Sequence, residues 1–204
     1  MPSIRRSSQR YLSHMSKIVH TIKVMLNELE FAKAHYRIYS DLTAAINKEP
    51  SLNRYRDFFD TTIFAHFSGM IMSISRLLDR HKDTASIHWL LRYIENHPAE
   101  FDSIIINAQN IRSRLDSLSG QQNKVRQIRN KRMAHKERLD KSESEEFWAK
   151  VGLAQQDVER LLAELQSILR EITRGHKEHD WRWVMIAIDE ETSELLESLT
   201  NASA

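Results

Sequence analysis

The chain has 204 residues, 41% of them hydrophobic and 28% charged, with 4 Gly, 3 Pro and no Cys. That length suits one domain with a real core, the scarcity of breakers excludes a turn-rich β protein, and the missing cysteines exclude disulfides, thiol nucleophiles and Cys-bound zinc. A formal net charge of +2 excludes a polybasic coat for nucleic acid, so any attraction for phosphate has to come from local clustering.

Residues 1–15 carry Arg5, Arg6 and Arg10 among serines, with no acid before Glu28 and no secretory apolar stretch. They read as a mobile basic arm rather than a transit peptide, which leaves 16–204 as a single helical domain. From Ser16 to Lys48, Ile18, Ile22, Met25, Leu29 and Ala32 recur at helical spacing, and Pro50 ends that helix because its ring cannot continue it. A second helix over Leu52 to Arg80 carries Phe58, Phe59, Ile63, Phe67, Met70, Ile71, Ile74 and Leu77, apolar around much of its circumference, so it is expected to be the most buried. Its longest apolar run, Ile63 to Ile74, is too short to span a bilayer and is interrupted by His66, Ser68 and Gly69, so a soluble chain with no membrane partner is expected.

Asp83 or Thr84 can cap a third helix carrying Ile87, Leu90, Leu91 and Ile94, which Pro98 stops. A fourth runs from Phe101 to Leu118 and ends near Gly120. Ser142 and Glu145 have capping-box spacing and open a long amphipathic helix with Phe147, Val151, Leu161, Leu165, Ile168 and Ile172, closed by Gly175. A last helix near Glu190 to Leu199 follows Trp181 to Ile188. The fold class is all-α.

Between the fourth helix and the long one lies a face that changes character. At spacings of three and four it reads Val125, Ile128, Arg129, Arg132, His135, Lys136, a core stripe that turns cationic halfway along. Lys124, Arg126, Lys131 and Arg138 surround it, and Glu137 is the only acid between Lys124 and Arg138. Guanidinium groups are costly to bury unpaired, so such a stripe belongs in a cleft, an ion-pair network or a subunit interface. The plain alternative is a solvated charged face near a helix end. The functional reading is a phosphodiester site, with Arg gripping phosphate oxygens and His moving protons near neutral pH. On an ideal α-helix Arg129 and His135 lie about 120° apart and about 9 Å along the axis. Closing on one phosphate then needs a curled Arg129 arm, a helix end near His135, or a second subunit that brings the same patch opposite.

Arg129, Asn130 and His135 resemble the motif of the HEPN (higher eukaryotes and prokaryotes nucleotide-binding) superfamily. Its ribonuclease members carry an Arg, often a polar residue such as Asn next, then a His after four to six others. The bare spacing also occurs at Arg76 to His81, Arg92 to His97, Arg170 to His176 and Arg174 to His179, and Asn130, Ala134 and the basic surround distinguish this copy. The apolar helix running into Ile74-Ser75-Arg76-Leu77-Leu78-Asp79, together with Ile128 to His135, is similar to the abortive-infection U branch. The resemblance implies an up-and-down antiparallel helical bundle with additional terminal helices, dimerising so that both motifs face one cleft. It also implies cytoplasmic, metal-independent RNA cleavage without a cofactor, in phage-defence or toxin systems with an antitoxin or other defence partner.

On that resemblance His135 is the general acid or base, Arg129 stabilises the transition-state charge, and Asn130 orients the phosphate or His135. Lys124, Arg126, Lys131, Arg132 and Lys136 hold the RNA backbone. Products are a 2′,3′-cyclic phosphate and a 5′-hydroxyl. Glu137 stands where some HEPN toxins carry a Tyr that a partner nucleotidyltransferase modifies, which argues against inhibition by that route. The rival reading is an inactive HEPN fold that binds RNA or a protein partner through the same cleft; a third is a helical adaptor in which the cluster is only an ion-pair network. Arg76 and Asp79, one turn apart, are expected to form a structural ion pair, the alternative being a pair that buttresses Arg129. The stretch His176-Lys177-Glu178-His179-Asp180 reads as a hydrophilic turn rather than a metal site, His66 as a hydrogen-bonded core histidine, and Trp89, Trp148, Trp181 and Trp183 as core or interface anchors.

Overall fold

The computed structural model describes residues 3–102, 105–134, 146–147, 149–176, 192, 194–196 and 198–199, with side chains from Lys17 onward except those of 132–134. Among these residues every regular element is helical apart from one antiparallel bridge, Phe101 to His176. Helix α1, Ser3–Lys48, begins well before the expected boundary at Ser16, with Arg5, Arg6 and Arg10 on its first turns. A 3-10 turn, Pro50–Tyr55, follows, with Pro50 in the first position, where no amide donor is needed. Helix α2, Arg56–Leu77, returns antiparallel to α1: Arg76 meets Glu28, and His66 meets His35.

The α1 stripe Ile18, Ile22, Met25, Leu29 and Ala32 is buried as its spacing requires, against Met70, Ile71, Ile74 and Leu77 of α2. Each such side chain withdrawn from water contributes about 1.5–3 kcal/mol. The expectation that α2 is the most buried helix fails. Phe58 and Phe64 are 57% and 51% exposed, and Phe59 belongs to a small separate cluster with Leu42 and Leu52. Only the second half of α2 reaches the main core; its phenylalanines are spread around the axis, so the first half cannot face them all inward.

Helix α3, Ile87–Asn96, buries Ile87, Leu90, Leu91 and Ile94 as expected, but its cap is Ser86, whose hydroxyl accepts from the Trp89 amide at 3.2 Å. Neither Asp83 nor Thr84 takes that role. Helix α4, Ala108–Ser117, starts later than Phe101, because Asn107 supplies the cap by accepting from the Asn110 amide at 2.9 Å. Phe101 is extended and bridges to His176 instead. Gly120 ends nothing: after a one-residue break at Leu118 the chain continues as α5, Ser119–Ile128.

The single long helix expected up to Gly175 is two pieces. Gly152 has φ +52°, a left-handed conformation that costs glycine nothing, and it stops the piece holding Phe147 and Val151. Helix α6, Gln155–Gly175, then restarts, with Asp157 accepting from the Ala154 amide at 3.2 Å. Ser142 and Glu145 lie outside the described residues. Nine α6 positions are buried, Leu161, Leu165, Ile168 and Ile172 among them, making it the chief wall of the core. Gly175 ends α6 as expected, and closely packed: a Cβ there would overlap the Ile106 side chain. At the other end of the chain Leu196 and Leu199 pack on the cluster around Phe59.

Candidate functional site

Helix α5 carries the stripe that changes character. Val125 and Ile128 are buried at 2% and 0% exposure, Arg129 and Asn130 are half-buried, and Lys131 is exposed. The backbone changes where the chemistry does: from Arg129 to Ala134 the helix widens into a π-helix. Such turns bond i to i+5, are rare, and occur frequently at functional sites. The 120° separation of Arg129 and His135 assumed an α-helix throughout, and that assumption ends at Arg129. Arg132 lies within the π segment, but its side chain is not among those described; His135 and Lys136 fall outside the described residues.

Arg129 faces a cavity of about 380 Å³ closed on one side by α5 and on the other by the end of α2 and the turn after it. Ser75, Asp79 and Arg80 line the α2 side, and Gln122, Arg126 and Arg129 the α5 side. The two stretches carrying the family resemblance thus meet across one polar space. The Arg129 Nε donates to Asn130 Oδ1 at 3.1 Å, and no carboxylate pairs with Arg129 among the described residues. The Ser75 hydroxyl is buried without a hydrogen-bond partner among them. The Arg129 guanidinium is therefore available to an oxyanion in the cavity, and the Ser75 hydroxyl is a polar group left unsatisfied in the wall behind it.

Arg76 and Asp79 do not pair. Arg76 Nη1 reaches Glu28 of α1 at 3.0 Å, whereas Asp79 Oδ1 accepts from the His81 amide at 2.8 Å. The cause is the end of α2 at Leu77: beyond it Asp79 no longer follows helical spacing and caps the turn instead. Asp79 lines the Arg129 cavity and Arg76 does not.

The expected backbone-holding cations are not alike. Lys124 Nζ is taken up by Asp157 Oδ2 at 2.7 Å and the Gly152 carbonyl at 2.8 Å, fastening α5 to the start of α6 and holding the Asp157 carboxyl below its ordinary range, chiefly through that hydrogen bond. Arg126 Nη2 donates to Asn123 one turn back at 2.7 Å and lines the cavity. Lys131 extends over the Phe147 ring, 5.8 Å from its centre, and stays exposed. Ser75, Arg80 and Gln122 were given no role from sequence. Ser75 lies within the stretch from Ile74 to Asp79, but nothing in its spacing marks it.

Away from this cavity, His66 is hydrogen-bonded as expected, its Nδ1 lying 2.9 Å from His35 Nδ1. Burial lowers both pKa values, and for His66 the neighbouring His35 lowers it further. Gly69 leaves room for the His35 ring, since a Cβ would come within 2.6 Å of it. Burial and a hydrogen bond to Glu159 push the Tyr36 hydroxyl up to about 12. Trp89 is half-buried and stacks on Tyr93; Trp148, Trp181 and Trp183 lie outside the described residues. His176 is no hydrophilic turn: it is 1% exposed and packs edge-on against Phe101, while 177–180 lie outside the described residues. No three His, Asp or Glu side chains converge as a metal would require among the described residues, nor is any described helix long and apolar enough to cross a membrane.

The chain matches the HEPN-type family described as AbiU2 over residues 15–195. No curated protein matches it, and neither does any solved structure.

Proposed function

The chain belongs to AbiU2, the abortive-infection U family of the HEPN superfamily, and from that premise we propose that it is a cytoplasmic, metal-independent endoribonuclease acting as a homodimer in phage defence. The observation that carries this reading is the polar cavity in which Arg129, without a carboxylate partner among the described residues, faces Ser75 and Asp79 at the end of α2. A cation left unpaired beside buried hydroxyl and amide groups suits a phosphodiester, whose two free oxygens accept hydrogen bonds from a guanidinium.

In the reaction a ribose 2′-oxygen attacks the adjacent phosphorus and the bond from phosphorus to the 5′-oxygen breaks. His135 takes the 2′-hydroxyl proton or protonates the departing 5′-oxygen, and the second His135 of the dimer takes the complementary step. Arg129 stabilises the added negative charge on the phosphorane-like transition state. Asn130, bonded to Arg129 Nε, fixes the orientation of the guanidinium. Lys131, Arg126, Arg132 and Lys136 draw in the RNA backbone, whereas Lys124 mainly holds α5 against Asp157.

The test is to incubate the pure protein with mixed RNA in chelator. The reading expects cleavage to 2′,3′-cyclic phosphate ends, lost in His135→Ala. Salt-sensitive RNA binding with no cleavage would instead favour the inactive binding fold, and cleavage unchanged in His135→Ala would reject the catalytic assignment. Neither cleavage nor binding would leave the adaptor reading.

A further inference from the structure

A second cationic cavity, of about 250 Å³, lies beside the first, and Arg80 lines both. His88 and Arg92 enter it from α3, one turn apart; Arg112 and Asp116 enter it from α4, also one turn apart. These charges are not equally occupied. Arg112 is spent on Glu95, its Nε and Nη2 donating to the carboxylate at 2.8–3.0 Å. Arg80 and Arg92 have no ion pair among the described residues. Two polar nitrogens of these residues, His88 Nε2 and Arg92 Nη2, are shut away from solvent with no hydrogen-bond partner among the described residues. Buried polar atoms are nearly always satisfied in folded proteins, and a guanidinium that is not asks for an anion.

We propose that Arg80, His88 and Arg92 form a second phosphate-binding site beside the Arg129 cavity, with Arg80 on the wall that the two share. A phosphate group matches it in chemistry: its oxygens accept from several directions at once, as donors arriving from α3 and from the turn after α2 require, and a planar carboxylate uses fewer of them. Asp116 disfavours a more highly charged polyanion, and Arg112, held by Glu95, sets the far wall. The source of the group is inorganic phosphate, a nucleotide, or one phosphate of an RNA chain. His88 reports on the site: its pKa is lowered by burial and then by Arg80, Arg112 and Arg92, with Asp116 acting in the opposite sense. A bound phosphate opposes those cations and moves the imidazole back up.

The site stands whether or not RNA is cut at Arg129. The experiment follows the His88 ring by NMR in the full chain while inorganic phosphate, adenosine monophosphate or a short non-cleavable RNA is added, with sodium chloride at matched ionic strength as control. Saturable shifts of His88 with at least one phosphate probe, absent with chloride, and a higher His88 pKa in the saturated protein are expected. Arg80→Gln and Arg92→Gln should each weaken that probe at least tenfold, while Arg129→Ala keeps the affinity for inorganic phosphate or adenosine monophosphate within about twofold. Arg80 is exposed on a turn, so Arg80→Gln remains informative even if Arg92→Gln fails to fold. The three probes distinguish the sources of the phosphate. No saturable response to any of them, or affinity unchanged in Arg80→Gln, overturns the proposal.

Discussion

Two arginines on neighbouring helices show how differently the same side chain is used. Arg114 of α4 is fully engaged: Nε reaches Glu164 at 2.5 Å, Nη1 reaches Glu171 at 2.6 Å and Nη2 reaches the Ser167 hydroxyl at 2.8 Å, all on α6. Arg129, just past α5, has a neutral neighbour, Asn130, in place of a carboxylate, and opens on a cavity. A nearly balanced total charge conceals this division. Where cations meet acids the chain ties helices together; where they do not, it keeps positive potential for something from outside.

Exchanging the two for alanine sharpens the contrast most. Arg129→Ala is expected to lower RNA-cleavage kcat by about 10²–10³-fold, read in single-turnover assays, with the urea midpoint nearly unchanged. Arg114→Ala should do the reverse, removing about 1–2 kcal/mol of stability, between the values for exposed and buried pairs, while sparing cleavage. A smaller effect separates two lysines. Lys124→Ala should cost about 0.5–1 kcal/mol in urea unfolding with little change in RNA affinity, and Lys131→Ala should weaken RNA binding and make its salt slope shallower by about 0.7 with little change in stability.

The smallest expected effect is on acid stability, and it belongs to the fold alone. His35 and His66 have pKa values below the ordinary 6.5 in the folded chain. As pH falls through 6.5 the unfolded chain binds protons that the folded one resists, so stability is present above that value and declines on acidification until the lowered folded pKa values are passed. Urea midpoints at about pH 7.5 and about pH 5.5 should differ less in the double variant His35→Gln with His66→Gln than in the parent. An equal drop in both would assign the acid sensitivity to other groups.

Much of the helix content was legible, because apolar spacing reports directly on which face is buried. Ile87, Leu90, Leu91 and Ile94 sit as their periodicity required, and so does the stripe from Ile18 to Ala32. Helix ends were less legible. Asn107 and Ser86 won the caps over residues of similar competence, and Gly152 broke a helix that the apolar pattern alone would have carried through. In the candidate site, Val125, Ile128 and Arg129 fall where the stripe placed them, but two features had no sequence signal. One is the approach of Ser75 and Arg80 across the cavity, which depends on how α2 packs against α5. The other is the redirection of Arg76 to Glu28, a partner 48 residues away that local spacing does not reveal.

The π-helical segment from Arg129 to Ala134 also has the form of an inserted residue. Its ladder of backbone bonds accommodates one more position per turn than the α5 helix leading into it. Removing a single residue from this stretch would let the ladder close into plain α geometry, because the tighter α turn takes up the angle that the lost residue had covered. Such a deletion should leave the buried face at Val125 and Ile128 in place while removing the widened turn that carries Arg129 and Asn130, so folding and the local geometry of the motif are separable here by the length of the chain alone.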